Sequence, residues 1–125
     1  ALQGSGFLLL RSCALSVELQ QRALAAGKEL LQETHGIEKH PSDPKRYAML
    51  KLEDLKLESK ATARHNLLEY WTALETVKCK VLAALETGLG LAPGFFSTRH
   101  SEANNTLRLL HYPPAPGSGN RCKEH

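Results

Sequence analysis

The sequence predicts an α+β fold, and three observations carry that expectation. From about Ala61 to Thr87, apolar residues recur at helical spacing over many turns. A second helical pattern follows Ser16. A short apolar run, Gly6 to Leu10, and a partly alternating segment, Thr106 to Tyr112, have the length of strands. The division is uneven: residues 1–103 read as a mostly helical part, and 104–125 as the first strands of a sheet.

Each element has a local cause. Gly6-Phe7-Leu8-Leu9-Leu10 is apolar throughout and predicts a short buried strand. Ser16 can cap the first helix, its hydroxyl accepting an N–H left orphaned in the first turn. Leu19, Ala23, Leu24, Gly27, Leu30 and Leu31 then form one apolar face, and Gly36 is a stop. His35 to Arg46 holds two prolines and several charges and reads as loop. Tyr47 to Lys60 mixes leucines with charges, a pattern that fits either a strand or a short helix. In the long helix, Leu67, Trp71, Leu74, Val81 and Leu85 are the expected buried stripe, with Glu69, Glu75, Lys78 and Lys80 on other faces. Gly88 and Gly90 end it, Pro93 and Gly94 turn, and Phe95 and Phe96 fold back on the helix. Thr106 to Tyr112 is a strand stopped by Pro113 and Pro114, and Arg121 to His125 would begin the next. A strand entered at the chain's end has no partner yet.

Composition narrows the function. The 125 residues, 42% hydrophobic and 23% charged, suit one modest globular domain. A net charge of +3 without a basic cluster argues against a nucleic-acid surface. No apolar run approaches the roughly 18 residues of a membrane span. Cys13, Cys79 and Cys122 are sparse and odd in number, which points away from a disulfide framework and towards a reducing, cytoplasmic setting. His35, His40, His65 and His100 have no mutual ligand spacing and are expected at the surface. Asn104-Asn105-Thr106 fits a glycosylation sequon, a pattern of low specificity. Cys122 lies near His125, but a nucleophilic pair needs an orienting third group, and none is evident.

Three segments, in order, resemble the isopenicillin N synthase-like family of iron(II)/2-oxoglutarate-dependent dioxygenases. Gly6 to Leu10 with the helix after it is similar to that family's "GFF-x-L" opening. Ala84 to Phe96 resembles the end of its long helix, "ALGLGLPxxFF". Asn104 to Pro114 closely resembles its "STLRLLHYPP" strand, which is followed by "R-x-G-E-H-x-D-Y-G"; here the follow-on reads Arg121-Cys122-Lys123-Glu124-His125. The resemblance covers most of the chain and is weakest in the middle, where the segment between the two helices is shorter than usual for the family.

The resemblance implies a helical N-terminal subdomain packed on a double-stranded β-helix, or jelly roll, of which this chain holds the first strands, truncated at His125. It implies an oxidoreductase acting on a small organic substrate, with Fe(II) and 2-oxoglutarate as cofactors. Such centres hold iron by two histidines and one carboxylate. The first histidine and the carboxylate share one strand two residues apart, where side chains point the same way. His125 stands at that first histidine and would be a metal ligand. The carboxylate and second histidine, and the arginine that pairs the far end of 2-oxoglutarate, have no counterpart up to His125, so these 125 residues alone are expected to be inactive. Tyr112 matches the tyrosine before the prolines, whose phenol can donate one hydrogen bond to co-substrate or substrate. The alternative role for Tyr112 is a strand tyrosine filling core. Leu110 departs from the asparagine that several members carry there, which puts the detailed 2-oxoglutarate contacts in doubt. Arg108 could face the pocket or lie on a solvated sheet face, and the second is the preferred reading. The rival functional reading is a non-catalytic remnant whose amphipathic helices serve as a protein-interaction module.

Overall fold

The computed structural model describes residues 9–11, 15–32, 38–40, 43–56, 62–100 and 104–112. The order is α1 (Val17–Gln32), β1 (Glu38–His40), β2 (Asp43–Leu50), α2 (Leu52–Lys56), α3 (Thr62–Leu89) and β3 (Leu107–His111). The expected strand at Gly6 to Leu10 lies mostly outside the described residues, and Leu9 and Leu10 are exposed coil.

Ser16 caps α1 as its sequence suggests: its Oγ accepts the Leu19 N–H at 3.1 Å. The buried stripe is Ala23, Ala26, Gly27, Leu30 and Leu31, at i, i+3, i+4, i+7 and i+8. Leu24, expected on that stripe, is 76% exposed at its edge, although it lies about 20° round the helix from the buried Leu31.

The segment expected as loop, His35 to Arg46, instead contributes β1 and the start of β2, paired antiparallel. Its prolines conceal the strand. Pro44 falls in the irregularity between the pairs Lys39↔Arg46 and His40↔Asp43, where its missing N–H breaks no ladder bond. The ambiguous stretch from Tyr47 resolves into both options, strand to Leu50 and then the single turn of α2. Asp54 reaches back to accept the Lys51 N–H at 2.7 Å, a capping-box bond that fixes where α2 begins.

β3 completes a three-stranded antiparallel sheet of order β1-β2-β3, in register from Leu50↔Leu107 to Arg46↔His111. Ala48, Leu50, Leu107 and Leu109 are the more buried alternate residues and face the helices. Met49, Arg108 and Leu110 face outward, and the Arg108 guanidinium lies 5.1 Å from the Tyr47 ring centroid. Arg108 thus stands on the exposed sheet face, as its sequence context suggests.

The core lies where α1, α2 and the inner sheet face meet the first half of α3, around Ala63, Leu67 and Trp71. Leu67 and Trp71 are buried as expected. Leu74, Val81 and Leu85 are only half-buried, contrary to the helical-stripe expectation. A 28-residue helix is about 40 Å long, and α1, at 16 residues, is about 24 Å, so their lengths differ by several turns. The helix ends as its glycines foretell. Gly90 takes φ 66°, its N–H donates to the Thr87 carbonyl at 3.2 Å, and the Leu91 N–H donates to Glu86 at 2.9 Å. That pair of bonds is a Schellman cap.

Candidate functional site

β3 carries the residues the sequence singles out. Its alternation sends Leu107 and Leu109 inward, against α1, and leaves Tyr112 just beyond its end, 39% exposed. At that exposure Tyr112 does not fill the core. Leu110 is 45% exposed and pairs with Tyr47 on the outer face. His125, with the expected strand from Arg121, lies outside the described residues, as do Pro113 and Pro114. Among the described residues, no three His, Cys, Asp or Glu side chains gather as metal ligands. His65 and His100 are exposed, as expected.

Beside β3 runs a groove of about 460 Å³, walled by α1. All five residues of β3 line it, together with Ala23, Leu24, Gly27 and Lys28. A Cβ at Gly27 would stand 3.3 Å from Leu109 Cδ2, so glycine lets α1 lie close against the strand. The groove is mainly apolar, and its charged side chains, Lys28 and Arg108, are cationic.

Two carboxylates on α3 hold the chain on its way back to β3, and sequence reasoning missed both. Glu86 is 6% exposed. Its Oε2 accepts the Gly94 N–H at 2.9 Å, and its Oε1 accepts the Phe96 N–H at 2.8 Å. These bonds, Phe96 first and then Gly94, hold its pKa below the ordinary carboxylate value against the opposing effect of burial. Glu75 accepts the Asn105 Nδ2–H through Oε1 at 2.5 Å, and its Oε2 pairs with Lys78 Nζ at 2.6 Å. The sequence pattern places Glu75 only on a face other than the apolar stripe. A signal for Glu86 existed: a charged residue in the last turn before two glycines, followed by a Pro-Gly turn whose N–H groups need acceptors.

The turn itself carries the two phenylalanines. Phe95 and Phe96 pack edge to face, their centroids 5.3 Å apart, and the Arg99 guanidinium sits 3.9 Å over Phe95. Both rings are half-buried. Cys79 is an exposed free thiol, while Cys13 and Cys122 lie outside the described residues. Among the described residues, no helix is long and apolar enough to cross a membrane.

Compared with protein-family models, curated proteins and solved structures, the chain matches none.

Proposed function

We propose that this chain is the N-terminal portion of a non-haem iron(II)/2-oxoglutarate-dependent oxidoreductase acting on a small organic substrate. The observation that carries the reading is β3. The segment with the closest resemblance to the oxygenase family forms a strand, packs alternate residues on the helices, and ends at a partly exposed Tyr112. The partial exposure of Tyr112 supports this reading.

In this reading Tyr112 donates a hydrogen bond to a carboxylate of 2-oxoglutarate or of the substrate. His125 binds one position of the metal through an imidazole nitrogen. By the order of ligands in the family it resembles, the remaining carboxylate and histidine would come from beyond His125. Iron and 2-oxoglutarate, when bound, would supply the activation of dioxygen for hydroxylation or desaturation.

The test is the reading frame after His125. An aspartate two residues on, then a later histidine and an arginine, is the expected result. A stop codon directly after His125 would overturn the enzyme reading. The 125 residues alone are expected to consume no 2-oxoglutarate with Fe(II) and ascorbate, since one imidazole does not make an iron site. Robust turnover by them would refute the assignment of His125.

The second reading, a non-catalytic interaction module, is favoured by one feature. The outer sheet face exposes Met49 (58%) and Leu110, an apolar surface of the kind that partners cover. The stop codon that defeats the first reading would select this one.

A further inference from the structure

The chain between α3 and β3 is fastened to α3 at two points, each time by a carboxylate. Glu86 holds the backbone of Gly94 and Phe96, and Glu75 holds the Asn105 side chain, two residues before β3 begins. The order is antiparallel: the later helix residue holds the earlier residues of the returning segment. Glu75 and Glu86 are about three turns apart, so at 3.6 residues per turn they share one face of α3.

Apolar packing along this path is partial. Along the second half of α3, Leu74, Val81 and Leu85 are half-buried, and so are Phe95 and Phe96. Hydrogen bonds to ionised carboxylates are directional and stronger than neutral ones, so they can set a register that loose packing leaves free. Register matters at β3 because its side chains alternate. A slip of one residue would turn Leu107 and Leu109 outward and drive Arg108 and Leu110 against α1.

We propose that Glu75 and Glu86 are a pair of positioning residues that set the register of the returning chain along α3. Through it they set where β3 docks on β2 and where Tyr112 stands. The consequence for Tyr112 as a co-substrate residue rests on the oxygenase reading; the register does not.

The experiment is amide hydrogen exchange on the chain, without metal or 2-oxoglutarate, in a set of paired substitutions. Asn105→Asp sets two carboxylates against each other at the Glu75 contact. It should speed exchange across Leu107 to His111 by at least about tenfold, the size of one lost charge-assisted bond. Adding Glu75→Gln supplies an amide donor to the new carboxylate and should restore protection, which a general loss of packing would not allow. Glu86→Ala should release the Gly94 and Phe96 amides while Ala63 to Trp71 stay protected, with Glu86→Gln intermediate. Unchanged β3 exchange in Asn105→Asp, or no rescue by Glu75→Gln, would overturn the proposal. Should Asn105→Asp fail to fold, the cycle of Asn105→Ala and Glu75→Ala decides it: equal losses in single and double variants support it, and additive losses overturn it. Because the readout needs no cofactor, its outcome is independent of the reading-frame test of the oxygenase assignment.

Discussion

The two halves of α3 are held by different physics. From Ala63 to Trp71 the helix meets α1, α2 and the sheet through the buried Ala63, Leu67 and Trp71, with polar contacts of Arg64 to the Asp54 carbonyl and of Glu69 to Arg22 at the margin. From Leu74 to Leu85 its large apolar residues are half-buried, Leu89 is exposed, and carboxylates of this half hold the returning chain. Burial is non-directional and strong, so the first half supplies stability. Charge-assisted hydrogen bonds are directional and modest in net worth, so the second half supplies geometry. A continuous helical pattern in sequence therefore conceals a change of role half-way along.

The largest expected effect lies in the first half. Trp71→Ala should cost on the order of 3–5 kcal/mol, and Leu67→Ala about 2–5 kcal/mol, in urea unfolding followed by circular dichroism. A loss at Trp71 as small as that at a surface site would break the comparison. Gly27→Leu comes next. It forces a side chain into the 3.3 Å approach to Leu109 and should cost about 1–3 kcal/mol by parting α1 from β3. A near-neutral result would mean that α1 and β3 do not lie so close.

Val81→Ala sharpens the contrast. Removing two half-buried carbons should cost about 1 kcal/mol, well below the Leu67 value on the same helix. Glu86 is expected to act locally and through pH. Its folded pKa is depressed by the Phe96 and Gly94 N–H groups, so its fastening is present above the ordinary carboxylate pKa. It is lost as pH falls through the depressed folded value. Exchange at Gly94 and Phe96, corrected for its intrinsic pH dependence, should rise on that descent, and Glu86→Gln should remove the dependence. The smallest effect is expected for Leu24→Gln. At 76% exposure it should change stability by about half a kcal/mol or less.

The sequence reading succeeded where periodicity and turn chemistry act alone. The Ser16 cap, the Gly90 stop, the strand ending at His111 and the burial of Leu67 and Trp71 all follow from local pattern. It failed where tertiary context decides. β1 and the start of β2 were hidden by the prolines in their sequence, of which Pro44 falls where the β1–β2 register shifts. Leu74, Val81 and Leu85 carry the right spacing, but spacing shows which face is apolar and not whether anything covers it. Glu75 and Glu86 were invisible as fasteners because their partners are a distant side chain and backbone N–H groups, which no residue pattern announces. Of the candidate site, the strand before Tyr112 was legible from local pattern, the role of Tyr112 comes from the family resemblance alone, and His125 lies outside the described residues.

The division of α3 is tested most directly by native-state hydrogen exchange across the whole helix as urea is raised. Amides from Leu67 to Trp71 are expected to exchange only through global unfolding, with the full denaturant dependence of that transition. Amides from Val81 to Leu89, and those of Gly94 and Phe96, are expected to exchange through a local opening that depends little on urea. One common exchange free energy and one common urea dependence along the entire helix would contradict the division between an apolar half that stabilises and a polar half that positions.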